Sequence, residues 1–192
     1  DLAWMTEQWK PGGQARKDLE KTALVAVFTG LGSLSYGELA GERMKLGLLI
    51  HDPEEEHDCF SDDTHNAQYY DALGIENVYL GRYKRVDGSV VEGPSPSDLV
   101  KAANPAVDKR MRDALDRTMA AMTALVERAK TVEAYDQMIA EGNTEGNATI
   151  EACVTALLAQ TKDIQRAINV LNLKAVAIQG SASLDNPAEV GK

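Results

Sequence analysis

The stretch Asn104-Pro-Ala-Val-Asp-Lys-Arg-Met-Arg-Asp-Ala-Leu-Asp-Arg-Thr-Met-Ala-Ala-Met-Thr-Ala-Leu-Val-Glu-Arg-Ala-Lys130 decides the fold class. Asn104 is a good helix cap, and Pro105 suits the first helical position, where its missing N–H costs nothing. Val107, Met111, Leu115, Met122 and Leu125, with Ala114 and Ala129, then draw one apolar stripe at helical spacing. A shorter helical segment over 132–140 leads to the break at Gly142-Asn143. A second stripe follows it: Ile150, Val154, Leu157, Thr161, Ile164, Ile168 and Leu171. Two long amphipathic helices joined this closely lie antiparallel and bury their stripes against other helices. The predicted fold is mostly α: a helix bundle with long antiparallel helices and one small β-hairpin insertion. Met111, Met119, Met122 and Met138 read as core fillers, since methionine adapts to irregular gaps.

Toward the N-terminus, Pro11-Gly12-Gly13 breaks the opening turns from a helix over Ala15 to about Thr29, with Leu19, Ala23, Ala26 and Val27 on one face. Gly30 and Gly32 interrupt it. Ser35 caps a second helix through Glu38, Leu39, Arg43 and Leu46 to Ile50, and Pro53 bars its continuation. One of Ser61, Asp62 and Asp63 caps a short helix through His65, Tyr69 and Leu73 that Gly74 stops. Residues 75–85 and 89–93 are rich in β-formers and flank Val86-Asp87-Gly88, a hairpin signal. Pro94 and Pro96 close it, and Ser95 with Asp98 forms a capping box for the next helix. Asn147-Ala-Thr149 fits the glycosylation sequon, but a helix cap is the better use of Asn147. The chain reads as one domain over 1–180 with a small, polar tail over 181–192 that frays.

The chain has 192 residues, 44% hydrophobic content and a net charge of −10. This suits a globular domain with its own core. It argues against non-specific nucleic-acid binding and docking on anionic lipid, both of which need clustered Lys and Arg. No apolar run reaches the roughly 18–20 residues of a membrane span, because Thr29, Gly30, Gly32 and Ser33 break the region from Ala23 to Leu34. The chain opens DLAWMTEQW, without Met, basic n-region or apolar h-region. That predicts a processed product, a fragment or one piece of a larger protein.

All three histidines, His51, His57 and His65, lie in His51-Asp-Pro-Glu-Glu-Glu-His-Asp-Cys-Phe-Ser-Asp-Asp-Thr-His65, which also holds seven acids and no Lys or Arg. Imidazole and carboxylate bind transition metals and move protons near neutral pH. Three uses compete with a plain solvated loop. The first is a mononuclear metal site from His57, His65 and a carboxylate, Glu54 standing on one helical face with His57. The second is general-base catalysis by a histidine that Glu56 or Asp62 orients, with Ser61 as the available hydroxyl. The third is recognition of a cationic ligand, with Arg43 as counter-charge. Cys59 and Cys153 are either two free thiols, one by the site and one in the core, or a disulfide tying loop to helix.

The runs Gly41-Glu-Arg-Met44, Glu55-Glu-His-Asp-Cys-Phe-Ser-Asp62, Thr64-His-Asn66 and Gly74-Ile-Glu-Asn-Val-Tyr-Leu-Gly81 with Tyr83 resemble the imelysin family, in particular its iron-regulated protein A branch. The likeness extends from Trp9-Lys10-Pro11 to the last long helix. It implies a bacterial helical protein, exported to the periplasm or held at the outer membrane, that acts in iron uptake. Another branch is described as an insulin-cleaving membrane protease. The family fold implies two helix-bundle domains around a functional cleft, and this chain resembles the second. The GxHxxE signature belongs to the first domain and is missing here, since Leu49 stands two residues before His51. The resemblance implies a cleft face made of Glu42, Arg43, Glu56, His57, Ser61, Asp62 and His65. Its implied partner is a first-half helical domain from the same precursor or another chain; the expected cofactor is a divalent metal, iron or zinc, although the mixed nitrogen and oxygen ligands of the histidine stretch suit manganese equally. Metal or ligand binding in iron acquisition is the leading expectation. A metal-dependent peptidase and a non-catalytic interaction domain are the alternatives.

Overall fold

A computed structural model describes residue 10 and residues 13–190. The predicted break at Pro11-Gly12 therefore lies outside the described residues. From Gln14 the chain forms one unbroken rod: α1 (Gln14–Ser33), a π-helical segment (Leu34–Lys45) and α2 (Leu46–Ile50). The glycines expected to interrupt it do not. Gly30 and Gly32 weaken a helix only modestly, and burial of Phe28, Leu31, Leu39 and Met44 on its inner side outweighs that cost. Ser35, expected as a cap, lies inside the rod. Its Oγ donates to the Leu157 carbonyl at 3.2 Å and accepts from Gln160 at 3.1 Å. The expectation of no span-length helix is also corrected. From Ala15 to Ile50 the rod is long and apolar enough to cross a membrane by length and composition. From Phe28 onward its inner face is packed into the bundle, whereas residues 16–23 are exposed.

The rod ends at His51, whose left-handed backbone (φ 57°) turns the chain out of the helix. A short 3-10 turn (Pro53–Glu55) and a loop lead to α3 (Thr64–Leu80). Gly74 does not stop α3. The helix runs on to Gly81, at φ 61°, because Ile75 and Tyr79 are fully buried and draw the β-forming Ile75–Leu80 stretch onto the core. The hairpin survives in shortened form, with β1 (Arg82–Lys84) antiparallel to β2 (Val90–Glu92) and Tyr83 opposite Val91. Both strands are exposed.

The downstream signals hold. Ser95 and Asp98 form the capping box of α4 (Pro96–Ala103). Asn104 caps α5 (Pro105–Thr131), accepting from the N–H groups of Ala106 and Val107. After α6 (Tyr135–Ile139), α7 spans Thr144–Val170. Its cap is Asn143, accepting from Gly146 N–H at 2.9 Å. Asn147 sits one turn later and donates instead to the Met138 carbonyl at 2.6 Å. Arg110 meets Asp163 and Arg128 meets Glu145, so α5 and α7 run antiparallel. The rod, α3, α5 and α7 enclose two adjoining cores. One centres on Leu39, Met44, Met122, Ile139 and Leu157, the other on Phe28, Ile75, Tyr79, Met111 and Ile164. Met111, Met122 and Met138 are fully buried, as core fillers should be.

The tail expected to fray from residue 181 is instead seated on the rod through residue 185. A short helix, α8 (Ala182–Asp185), places Ser181 and Ser183 in buried positions. Tyr36 donates to Asp185 at 2.6 Å and Ser181 to Glu42 at 2.5 Å. The backbone reaches this close because the rod carries glycine there. A Cβ on Gly37 would stand 2.7 Å from the Gln179 carbonyl oxygen. Small residues pack by close approach, which an apolar stripe does not reveal.

Candidate functional site

The histidine stretch connects the rod to α3, and its side chains diverge. His51 is spent on structure, with Nδ1 2.7 Å from the Ile139 carbonyl oxygen, tying the end of the rod to α6. Glu54 is exposed, and its backbone N–H is held by Asp52 at 2.9 Å. Glu54 and His57 do not share a helical face. The 3-10 turn ends at Glu55, and Glu56 is extended at φ −83°, ψ 134°. Ser61 donates to the Asp58 carbonyl at 3.2 Å, and Asp62 is exposed with φ 52°, so neither orients a base. His65 is only 13% exposed at its side chain. Its Nε2 is 3.3 Å from the Asn66 amide and its Nδ1 is buried without a partner. Cys59 is an exposed free thiol and Cys153 a buried one, so the disulfide reading is not realised.

Two groupings emerge. The first surrounds His57. On the π-helical segment, Arg43 binds Glu38 through Nε at 2.8 Å and Nη2 at 2.7 Å. These residues are five apart. A π-helix, with its i→i+5 hydrogen bonds, stacks such a pair on one face, as an α-helix stacks residues four apart. Gln68 of α3 clamps the segment by donating to the Arg43 carbonyl at 3.2 Å. Partial burial and then the Arg43 guanidinium hold the His57 imidazole below its ordinary range, against the opposing pull of Asp71. Burial raises the Asp71 carboxyl, which Arg43 and His57 partly offset. An imidazole and a carboxyl that both feel one guanidinium offer a polar ligand donors and acceptors together. Glu38 and Asp71 were not foreseen, because both lie outside the acidic stretch. The available signal for Glu38 was its five-residue spacing from Arg43.

The second grouping faces inward. Glu56 is 7% exposed and its Oε2 lacks a partner, as do Gln68 Oε1 and the Tyr135 hydroxyl, all buried. Burial raises the Glu56 carboxyl. The Thr64 hydroxyl opposes that shift, while Asp136, Asp62 and Asp58 reinforce it. Glu42 belongs to neither grouping, being held by Ser181.

Among the described residues no three His, Cys, Asp or Glu side chains are placed to hold a metal ion. His57, His65 and Glu54 therefore do not fit a metal as a set. The donor nearest to that role, His57, has a guanidinium for a neighbour, which repels a cation.

Fold and site together define a helical-bundle domain that presents an arginine, an imidazole and two carboxyls where a π-helical segment meets the following helix. The family model for imelysin, peptidase M75, matches residues 1–164, and the chain belongs to that family. No curated protein matches it significantly.

Proposed function

We propose that this is an exported imelysin-family protein, periplasmic or outer-membrane associated, that acts in iron acquisition. Its Glu38–Arg43–His57–Asp71 cluster is half of a ligand site that a first-half helical domain completes. The observation that carries the reading is Arg43 ion-paired to Glu38 on the π-helical segment, beside an imidazole held below its ordinary range. A neutral imidazole offers one donor and one acceptor, and a guanidinium offers planar donors. That set suits a polar, acceptor-rich iron chelate better than a bare ion. The alternative, a metallopeptidase, would need a metal-activated water whose ligands come mainly from that first-half domain, since the described residues of this chain assemble no three-donor set.

The test is titration of the native protein with ferric citrate and, separately, with Zn²⁺, repeated on His57→Ala and Arg43→Ala. Each substitution is expected to weaken ferric citrate by about tenfold, the equivalent of one charge-assisted hydrogen bond. Affinities that neither substitution changes would remove the cluster from the function.

A further inference from the structure

A groove of about 780 Å³ lies apart from that cluster, between α3 and the hairpin. Tyr69 and Tyr70 of α3 and Tyr83 of β1 line it, with Asn77, Lys84 and Arg85. Tyr70 and Tyr83 are 64% and 54% exposed, and the rings of Tyr69 and Tyr70 meet edge to face at 5.3 Å. Three phenol rings gathered on one solvent-facing groove offer a stacking surface. Arg82 is paired with Glu92 at 3.1 Å, whereas Lys84 and Arg85 have no ion-pair partner among the described residues. Two cations without an ion-pair partner thus stand at the groove of a chain whose net charge is −10.

Gly74 supplies an independent observation. It lines the groove from the middle of α3, where glycine is unfavourable, yet a Cβ there would meet nothing within 4 Å. Packing therefore gives no reason for glycine at this position. Gly81, in contrast, needs its φ of 61° and a close approach to the Gly93 carbonyl. What Gly74 does is keep the groove floor free of a side chain.

We propose that this groove binds a small planar aromatic anion, stacked on Tyr70 and Tyr83 with its acid group on Arg85 and Lys84. The volume is that of a site for a drug-sized molecule, which runs to roughly 300–1,000 Å³. The experiment is isothermal titration of the native protein with three probes: 2-naphthoate, its saturated analogue decahydro-2-naphthoate, and the uncharged 2-naphthalenemethanol. Naphthoate should bind one to one, and the other two about tenfold more weakly, since each lacks either the aromaticity or the charge. Tyr83→Ala and Arg85→Ala, both on the exposed hairpin, should each weaken naphthoate about tenfold without changing the circular dichroism or melting curve. Gly74→Leu should abolish binding, and His57→Ala should leave it unchanged. Equal binding of the three probes, no naphthoate binding at millimolar concentration, indifference to both hairpin substitutions, or loss of binding in His57→Ala would each overturn the proposal.

Discussion

At the scale of single residues, Glu56 sets the sharpest constraint. It is an acid buried to 7% exposure, with one oxygen unpartnered and three aspartates raising its proton affinity. Its folded pKa lies above the ordinary 4.5, so between the two values the native protein holds a proton that the unfolded chain releases. The contribution to stability is therefore complete below 4.5 and is lost as pH rises through the folded value. Glu56→Gln removes the charge and keeps the shape. Urea unfolding should find the variant about 1 kcal/mol more stable than the native protein at pH 7.5, with the difference closing by pH 4. An equal difference at both pH values would mean that the carboxyl keeps its ordinary titration. The stretch 51–65 marked Glu56 by its company of acids, but chain direction alone separated it from His57. Adjacent residues in an extended segment point to opposite sides, so one turned inward and the other to the surface.

At the scale of elements, the seam between the rod and the C-terminal segment depends on glycine. Gly37 approaches two carbonyl oxygens, those of Gln179 and Gly180, and backbone atoms have little room to give. Gly37→Ala should destabilise the fold by about 1–3 kcal/mol, the usual cost of overpacking. It should also make residues 178–185 the first site of limited proteolysis, while cleavage elsewhere in the native protein stays slow. A cleavage pattern identical to that of the parent would show that the seam adapts. This seam was illegible in the sequence, where residues 180–185 are small and polar and look like a fraying end. The long helices were legible for the opposite reason. Asn104-Pro105, the Ser95–Asp98 box and the apolar stripes are local signals, each satisfied within a turn or two. The stretch from Ile75 to Leu80 misled because β-branched and aromatic residues also serve a helix whose inner face is buried, and tertiary contacts override weak propensity. The π-helical geometry of 34–45 had one trace in the sequence, an acid and an arginine five residues apart.

At the scale of the whole molecule, residues of the site converge from three segments that a reading along the chain keeps apart: the rod, the loop after it and α3. Arg43 and His57 were legible as a counter-charge and a titrating ring. Asp71 was not, because only the packing of α3 against the rod carries it to them. The same packing gives the two cysteines unlike fates. Cys59 sits in the exposed loop, whereas Cys153 is fully buried among Met44, Met122 and Leu157, and burial pushes its thiol up to about 12. Thiolate is the reactive form, so Cys153 can react only when the bundle opens. Native protein treated with a chromogenic disulfide reagent at pH 8 should label one thiol within minutes. The second should follow at a rate set by opening of the core and unchanged by higher reagent concentration, provided that labelling outruns reclosing. Leu157→Ala, which empties part of the same core, should cost about 2–5 kcal/mol and accelerate the second phase while leaving the first untouched. Two thiols labelled together in the native protein, or a second phase indifferent to Leu157→Ala, would mean that the rod and α7 do not enclose a common core.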